Sequence, residues 1–190
     1  GTSELESKKI KKAGKNFSLD LSGDKVLDEE RILEVRLNRN GADPVYFYTR
    51  IVSDEDANVA QCLNYISDYH ENALAKAENA GVGAALEPTD DADNTTLQHV
   101  TINSNYEQVT WGSLKPQVEQ EERWSIKELN STCMSVLLQY RVSCKGEENE
   151  SDRYAVKEFF RVRYIADAQK TYLLDYDRTM DQIFDATKKF

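Results

Sequence analysis

His70 and His99 are the only two histidines of the 190-residue chain, and Cys62, Cys133 and Cys144 its only three cysteines. Neither set falls into a spacing that established chemistry requires. A zinc hydrolase places two histidines one helical turn apart with a glutamate between them, a nucleotide loop needs its glycine-lysine run, and a redox pair needs two cysteines two residues apart. None of these patterns, nor the GxSxG of a serine hydrolase, is present. Gly81-Val82-Gly83-Ala84-Ala85-Leu86 holds the first two glycines of a dinucleotide fingerprint. Leu86 stands where the third small residue belongs, however, and the stretch follows a helical pattern instead of a strand. Asp90, Asp91 and Asp93 resemble the start of a calcium loop but lack its glycine and its closing glutamate, so they read as an acidic solvated segment. The expectation is a chain with no catalytic residue, no metal and no cofactor.

What remains are candidates for lining a ligand pocket. His70, Trp111, Trp124, Tyr140, Tyr154 and Tyr164 fall on or near apolar faces, together with Phe160 and Tyr172. A curved sheet closed by a helix leaves a cone that such residues can line. The competing reading makes the same side chains ordinary core, with His70 a core histidine whose ring nitrogens are satisfied.

The elements that would position them are legible from periodicity. In residues 132–144 Met134, Val136, Leu138, Tyr140, Val142 and Cys144 alternate with polar residues, with Leu137 the exception. In residues 153–165 Tyr154, Val156, Phe160, Val162 and Tyr164 share one face and Arg153, Lys157, Arg161 and Arg163 the other, while Glu158 and Phe159 break the pattern. Tyr172, Leu174 and Tyr176 make a third run. Period two is the mark of half-buried strands. The stretch between the first two runs, residues 145–152, suits a hairpin loop longer than two residues.

Such a sheet must be covered. Val59, Cys62, Leu63, Ile66, Tyr69, His70, Ala73, Leu74 and Ala77 recur at spacings of three and four, which predicts a helix over residues 53–80. Ser53 would cap it, Asp54, Glu55 and Asp56 would favour its positive end, and Gly81 would close it in a left-handed turn. About 28 residues span roughly 40 Å, long enough that a kink or an earlier end is also expected.

Elsewhere, residues 1–16 read as a flexible basic arm with Lys8, Lys9, Lys11, Lys12 and Lys15, and residues 17–21 as a short strand. Two β-rich runs, residues 31–38 and 45–52, flank Asn40-Gly41 and read as a hairpin, with a helix over residues 27–37 as the alternative. Residues 81–94 read as a linker. Val100 and Ile102 alternate, Trp124 and Ile126 share a face, and Thr179 with Gln182 is spaced like a capping box before a short C-terminal helix holding Met180, Ile183 and Phe184. Residues 17–190 form one α+β domain on this reading, with a sub-boundary near residue 52: a bent antiparallel sheet covered by a long amphipathic helix, beside a small N-terminal β unit.

Charge and composition narrow the function. A formal net charge of -10 argues against nucleic-acid binding, because phosphate neutralisation needs a basic face. The basic side of residues 153–163 is read as a solvated sheet face, and the N-terminal arm as a mobile terminus or a segment near an anionic membrane surface. No apolar run approaches the 18 or so residues a membrane span requires. An odd number of cysteines leaves at least one unpaired, and Cys62 and Cys144 read as small core residues, with a bridge between them the alternative. Asn16, Asn94, Asn130 and Asn149 head glycosylation-type sequons, which are compatible with secretion. The chain opens at Gly1 in place of Met, which reads as a processed or a cloned fragment, the first of these compatible with a signal or anchor removed upstream.

The long amphipathic stripe, the acidic segment after it, and the strands ending in Lys170-Thr171-Tyr172-Leu173-Leu174-Asp175-Tyr176 resemble the nuclear transport factor two-like superfamily over residues 53–176. The resemblance implies helices packed in the concavity of a bent antiparallel sheet. That superfamily includes small-molecule isomerases and dehydratases, and also non-catalytic domains outside the membrane in bacteria. No motif matches position by position, so no catalytic residue carries over. The expected function is a non-catalytic binding or assembly domain of an exported protein, anchored upstream, with a protein or cell-envelope component as partner. A small-molecule-binding or enzymatic domain using the cone is the alternative.

Overall fold

β-branched and aromatic residues at alternate positions favour extended backbone, and Asn40-Gly41 supplies the reversal between two such runs. In the computed structural model, which describes residues 31–51, 57–78, 81–145 and 151–184, β1 (Arg31–Arg39) and β2 (Ala42–Ile51) pair antiparallel as a two-stranded sheet. Gly41 takes a φ of 72°, and Arg39 ties the turn by donating Nε and Nη2 to the Asp43 carbonyl at 3.2 and 2.9 Å. The cross-strand register puts Leu33, Val35, Leu37, Val45 and Phe47 on one side and Ile32, Tyr46 and Tyr48 on the other. The hairpin, and not the alternative helix, is therefore what forms from residue 31 onward. It belongs to a unit running Gly1–Ser53, and the rest of the chain, Asp54–Phe190, forms a second. The expectations for residues 1–16 and 17–21, and the capping role of Ser53 to Asp56, lie outside the described residues.

The second unit is an antiparallel sheet with one main helix on it. Its strands are β3 (His99–Thr101), β4 (Gln117–Leu129), β5 (Met134–Lys145), β6 (Ser151–Ile165) and β7 (Lys170–Gln182), in the spatial order β3-β7-β6-β5-β4. Every neighbouring pair is antiparallel. Helix α1 (Val59–Ala75) packs on β6 and β7, burying Cys62, Ile66, Tyr69, His70 and Ala73. Val136, Leu138, Phe160, Val162 and Tyr176 have no exposed surface and meet that helix stripe in one core. A fold that is mixed α+β, with a small separate two-stranded sheet, is what the periodicity implies. No helix among the described residues is long and apolar enough to cross a membrane.

Four local expectations are corrected. The helix ends at Ala75, short of Gly81: Lys76 enters the left-handed region at φ 53°, its ammonium donates to the Gly112 carbonyl, and the Ala77 carbonyl accepts from the Tyr106 hydroxyl at 3.3 Å. These tertiary bonds compete with another helical turn and win. The stretch read as a linker is anchored, because Val82 and Leu86 are buried in the core and the Glu87 amide donates to Ile102 at 2.9 Å. Residues 179–182 belong to β7 and pair with β6 as far as Gln182 opposite Tyr154, so the capping-box spacing marks no helix there. Finally, β7 slips by one residue between its pairings with Arg161 and Val162. That bulge turns Leu173 inward and leaves Tyr172 and Leu174 outward, reversing the alternation expected of them.

Cys62, Cys133 and Cys144 are all free and buried, which removes the Cys62–Cys144 bridge. On the outer face of the sheet Arg161 lies 3.5 Å from Glu128 and directly opposite Asp175, the solvated and charge-balanced arrangement expected of the basic side of β6. In the loop before β5 the Asn130 amide oxygen accepts from the Thr132 and Cys133 amides at 2.9 and 3.0 Å, so this sequon asparagine works as a turn cap.

If the α1 stripe and the β6–β7 face form the core, truncation should cost far more there than on the outer face. Ile66→Ala is expected to lower unfolding free energy by about 2–5 kcal/mol. Leu174→Ala should stay within about 0.5 kcal/mol. Urea denaturation of the two variants checks this, and equal losses would contradict the packing described.

Candidate functional site

Glu158 is the residue that an alternating strand should not contain. It lies on the inward side of β6 between Val156 and Phe160, and 1% of its surface is exposed. An ionised carboxylate there is tolerated only if cations and donors surround it. Two elements supply them. Helix α1 brings His70, whose Nδ1 lies 2.5 Å from Glu158 Oε2. Strand β7 brings Tyr176, whose hydroxyl donates to Oε1 at 2.7 Å, and it brings Arg178 directly opposite Glu158 in the ladder. The fourth participant comes from β4: Glu122 Oε1 lies 3.2 Å from His70 Nε2, with the Glu122 side chain 29% exposed.

The result is a row of alternating charge, Glu122, His70, Glu158 and Arg178, running from a partly exposed edge into the interior. Burial alone would lower the affinity of His70 for its proton, but its hydrogen bond to Glu158 and the charges of Glu158 and Glu122 outweigh that and hold it above the ordinary 6.5. Burial would likewise raise Glu158, yet the His70 hydrogen bond and charge, Arg178 and the Tyr176 hydroxyl bring it below 4.5. Burial pushes the hydroxyls of Tyr69, Tyr140 and Tyr176 upward, so these three stay protonated. The inner end of the row is fixed by Arg178, which donates to the carbonyls of Val109 and Gln108 at 2.7 and 2.9 Å and lies 4.0 Å over the Trp111 ring. Those carbonyls close the short helix α2 (Tyr106–Val109), begun by Asn105 capping Gln108.

Of the pocket candidates, three gather here. His70 is the centre of the row, Tyr140 meets its ring edge-on with centroids 5.0 Å apart, and the Trp124 indole donates to Glu122 Oε2 at 3.3 Å. Trp111 is placed under Arg178, away from the histidine end. Tyr154 and Tyr164 are half-buried on the inward side of β6, packed against the core towards its two ends. His99 is exposed and pairs with Asp177 at 2.6 Å on the sheet edge. Glu122, Glu158, Tyr176 and Arg178 are the members that sequence reasoning did not gather. Glu158 was visible as a break in the alternation, and a charged residue interrupting an apolar strand face is the signal for such a site.

The arrangement holds and relays charge more readily than it receives a substrate. The best-formed hollows among the described residues are shallow and open. One, of about 570 Å³, is bordered by Val118, Glu119, Gln120 and Glu122, and the other, of about 420 Å³, lies on the outer face around Cys133, Arg161 and Arg163. Only the first meets the row, and only at Glu122. Nor do the residues suit a metal: the two carboxylates approach opposite nitrogens of one imidazole and cannot converge on one ion.

The row sets a pH window for stability. Glu158, lowered on folding, contributes stability that is present above about pH 4.5 and is lost as pH falls through its folded value. His70, raised on folding, contributes stability that is present below 6.5 and is lost as pH rises through its folded value. Denaturation from pH 4 to pH 9 should therefore show a plateau with falls on both sides. His70→Ala should cost about 3–5 kcal/mol on that plateau, because it leaves Glu158 buried without its cation. Glu158→Gln should remove its part of the acid fall and shrink the alkaline one, which Glu122 then supports alone. An unchanged profile in Glu158→Gln would contradict the pairing. No family model, curated protein or solved structure matches this chain.

Proposed function

We propose that this chain is a non-catalytic binding or assembly domain of an exported protein that recognises another protein or a cell-envelope component. One observation carries the reading: both ring nitrogens of His70 are occupied by Glu122 and Glu158, and of the two best-formed hollows among the described residues, both open, only one meets the row, at Glu122. A general base needs a free nitrogen within hydrogen-bond reach of a bound substrate. With His70 engaged on both sides, the reading places the domain's action at its surfaces.

The β1–β2 hairpin supplies a surface of fitting composition. On one of its sides Ile32, Tyr46 and Tyr48 are 66%, 42% and 64% exposed, and the Arg36 guanidinium lies 5.6 Å from the Tyr46 ring centre. Aromatic residues and arginine dominate the energetic centres of protein interfaces. The extracytoplasmic placement rests on the resemblance to non-catalytic members of the nuclear transport factor two-like superfamily. The free cysteines lend it no support. Proximity of the lysine-rich residues 8–15 to a membrane belongs to the same proposal. The alternative, a small-molecule-binding or enzymatic domain, has the hollow beside Glu122 in its favour.

A photo-crosslinking phenylalanine analogue placed at Tyr48, in the cell the protein comes from, should join it to a discrete protein species. The same analogue at exposed Arg141 on β5 should not. Absence of any adduct from Tyr48, with a small molecule binding saturably at Val118 and Gln120, would overturn the proposal in favour of the alternative.

A further inference from the structure

A neutral imidazole carries one N–H and one lone pair, whereas a carboxylate oxygen only accepts. His70 faces a carboxylate oxygen at each nitrogen, Nδ1 towards Glu158 and Nε2 towards Glu122. The imidazolium alone satisfies both. When it loses a proton, one of the two contacts turns from attraction into a meeting of lone pairs. The two sides are unequal. Glu158 is fully buried, and stripping the His70 donor would leave one of its oxygens unsatisfied in the interior, whereas Glu122 reaches solvent and can exchange His70 for water. The proton that leaves is therefore the one on Nε2.

The strand on that side is the one least able to resist. Elsewhere in the sheet β5 and β6 pair without interruption over twelve consecutive positions, from Met134 opposite Val162 to Lys145 opposite Ser151. β4 pairs with β5 through register breaks between Val118 and Gln120 and between Gln120 and Arg123, so the backbone around Glu122 has lost part of its ladder. It is an edge strand, with β5 as its one partner in the sheet. The side chain of Glu122 is what ties this irregular stretch to the buried row, and Trp124 is tied to it in turn.

We propose that His70 is a pH-operated latch on β4, which holds residues 119–123 against the sheet while the imidazole carries two protons and releases them when it carries one. The groups that face His70 do not compete for this role. Tyr140 from β5, Tyr176 from β7 and Tyr69 beside it on α1 are buried phenols pushed to higher values, and Arg178 from β7 is a guanidinium turned to the Val109 and Gln108 carbonyls. Glu158 from β6 lies lowered, well under the neutral range, and Glu122 from β4 is the group released. His70 itself is held above 6.5, so the latch is closed in mildly acidic solution and opens on the alkaline side. Opening bares the inward side of β4, where Val118 and Ile126 are already 43% and 44% exposed, and uncovers Tyr140 behind it. The inference concerns a conformational equilibrium and stands whether or not the domain is a binding module.

The test is amide hydrogen exchange of the full chain from pH 5.5 to 9, corrected for the intrinsic pH dependence of exchange, with the His70 ring followed by NMR in the same samples. Protection of residues 119–123 should be lost as His70 deprotonates. The β5–β6 amides should not change. Glu122→Gln separates the latch from a general loosening, since a glutamine amide accepts from a charged Nε2 through its oxygen and donates to a neutral one through its nitrogen. That variant should keep residues 119–123 protected across the range, and Glu122→Ala should leave them unprotected throughout. Wild-type protection that ignores the His70 titration, or a transition that survives in Glu122→Gln, would overturn the proposal.

Discussion

A single carboxylate, that of Glu158, constrains more of this molecule than any apolar contact does. Leucine or valine at that position would let α1 rest on the sheet in several neighbouring registers with similar burial. An ionised glutamate under the helix does not, because its interior position is tolerable only where His70 lies above it, Arg178 beside it in the ladder and Tyr176 diagonally across. Rotating α1 by one residue, about 100°, would remove His70 and place its neighbour Tyr69 or Glu71 over a buried charge. The hydrophobic stripe supplies most of the favourable free energy of docking, and the ion pair selects which docked arrangement is the native one.

Much of the sheet was readable because burial on one face imposes period two. Met134 to Cys144 and Tyr154 to Tyr164 alternate in the sequence as they do in space, and the stripe from Val59 to Leu74 lies against them. The misreadings share a cause, which is that local patterns were overruled by contacts far away in sequence. Gly81 offered a helix stop, but Lys76 bonding to Gly112 and Tyr106 bonding to Ala77 ended the helix a turn and a half sooner. Thr179 and Gln182 have capping-box spacing, yet β6 offered the chain a ladder partner through Gln182. Tyr172 and Leu174 follow the alternation of their own strand, and a one-residue bulge reverses its sense. No local signal announces a bulge.

The site was half legible. His70 stood on an apolar stripe and Tyr140 and Trp124 on apolar faces, which placed all three near one another in principle. What could not be read was convergence: Glu122, Glu158 and Arg178 come from three strands separated by 20 residues or more, and their charges look like solvent-facing residues until the register is known. A charged residue at an even position in a run such as Tyr154, Val156, Phe160 and Val162 means either a broken strand or a buried polar network. The cross-strand partner decides between them, and here it is Arg178.

The row also divides the molecule into a part that is fixed and a part that can yield. β5, β6 and β7 are bound by long ladders and by the filled core, and they give a rigid frame. β4 leans on that frame through an irregular ladder, and its stretch around Glu122 through a side-chain contact that depends on a proton. Everything therefore turns on the protonation state of His70. The 15N spectrum of its ring at pH 6.5, where an unperturbed histidine is half charged, reports that state directly. Both nitrogens should read as protonated in more than half of the molecules; a ring that is half neutral or more, with a bare nitrogen facing Glu122, would contradict the account.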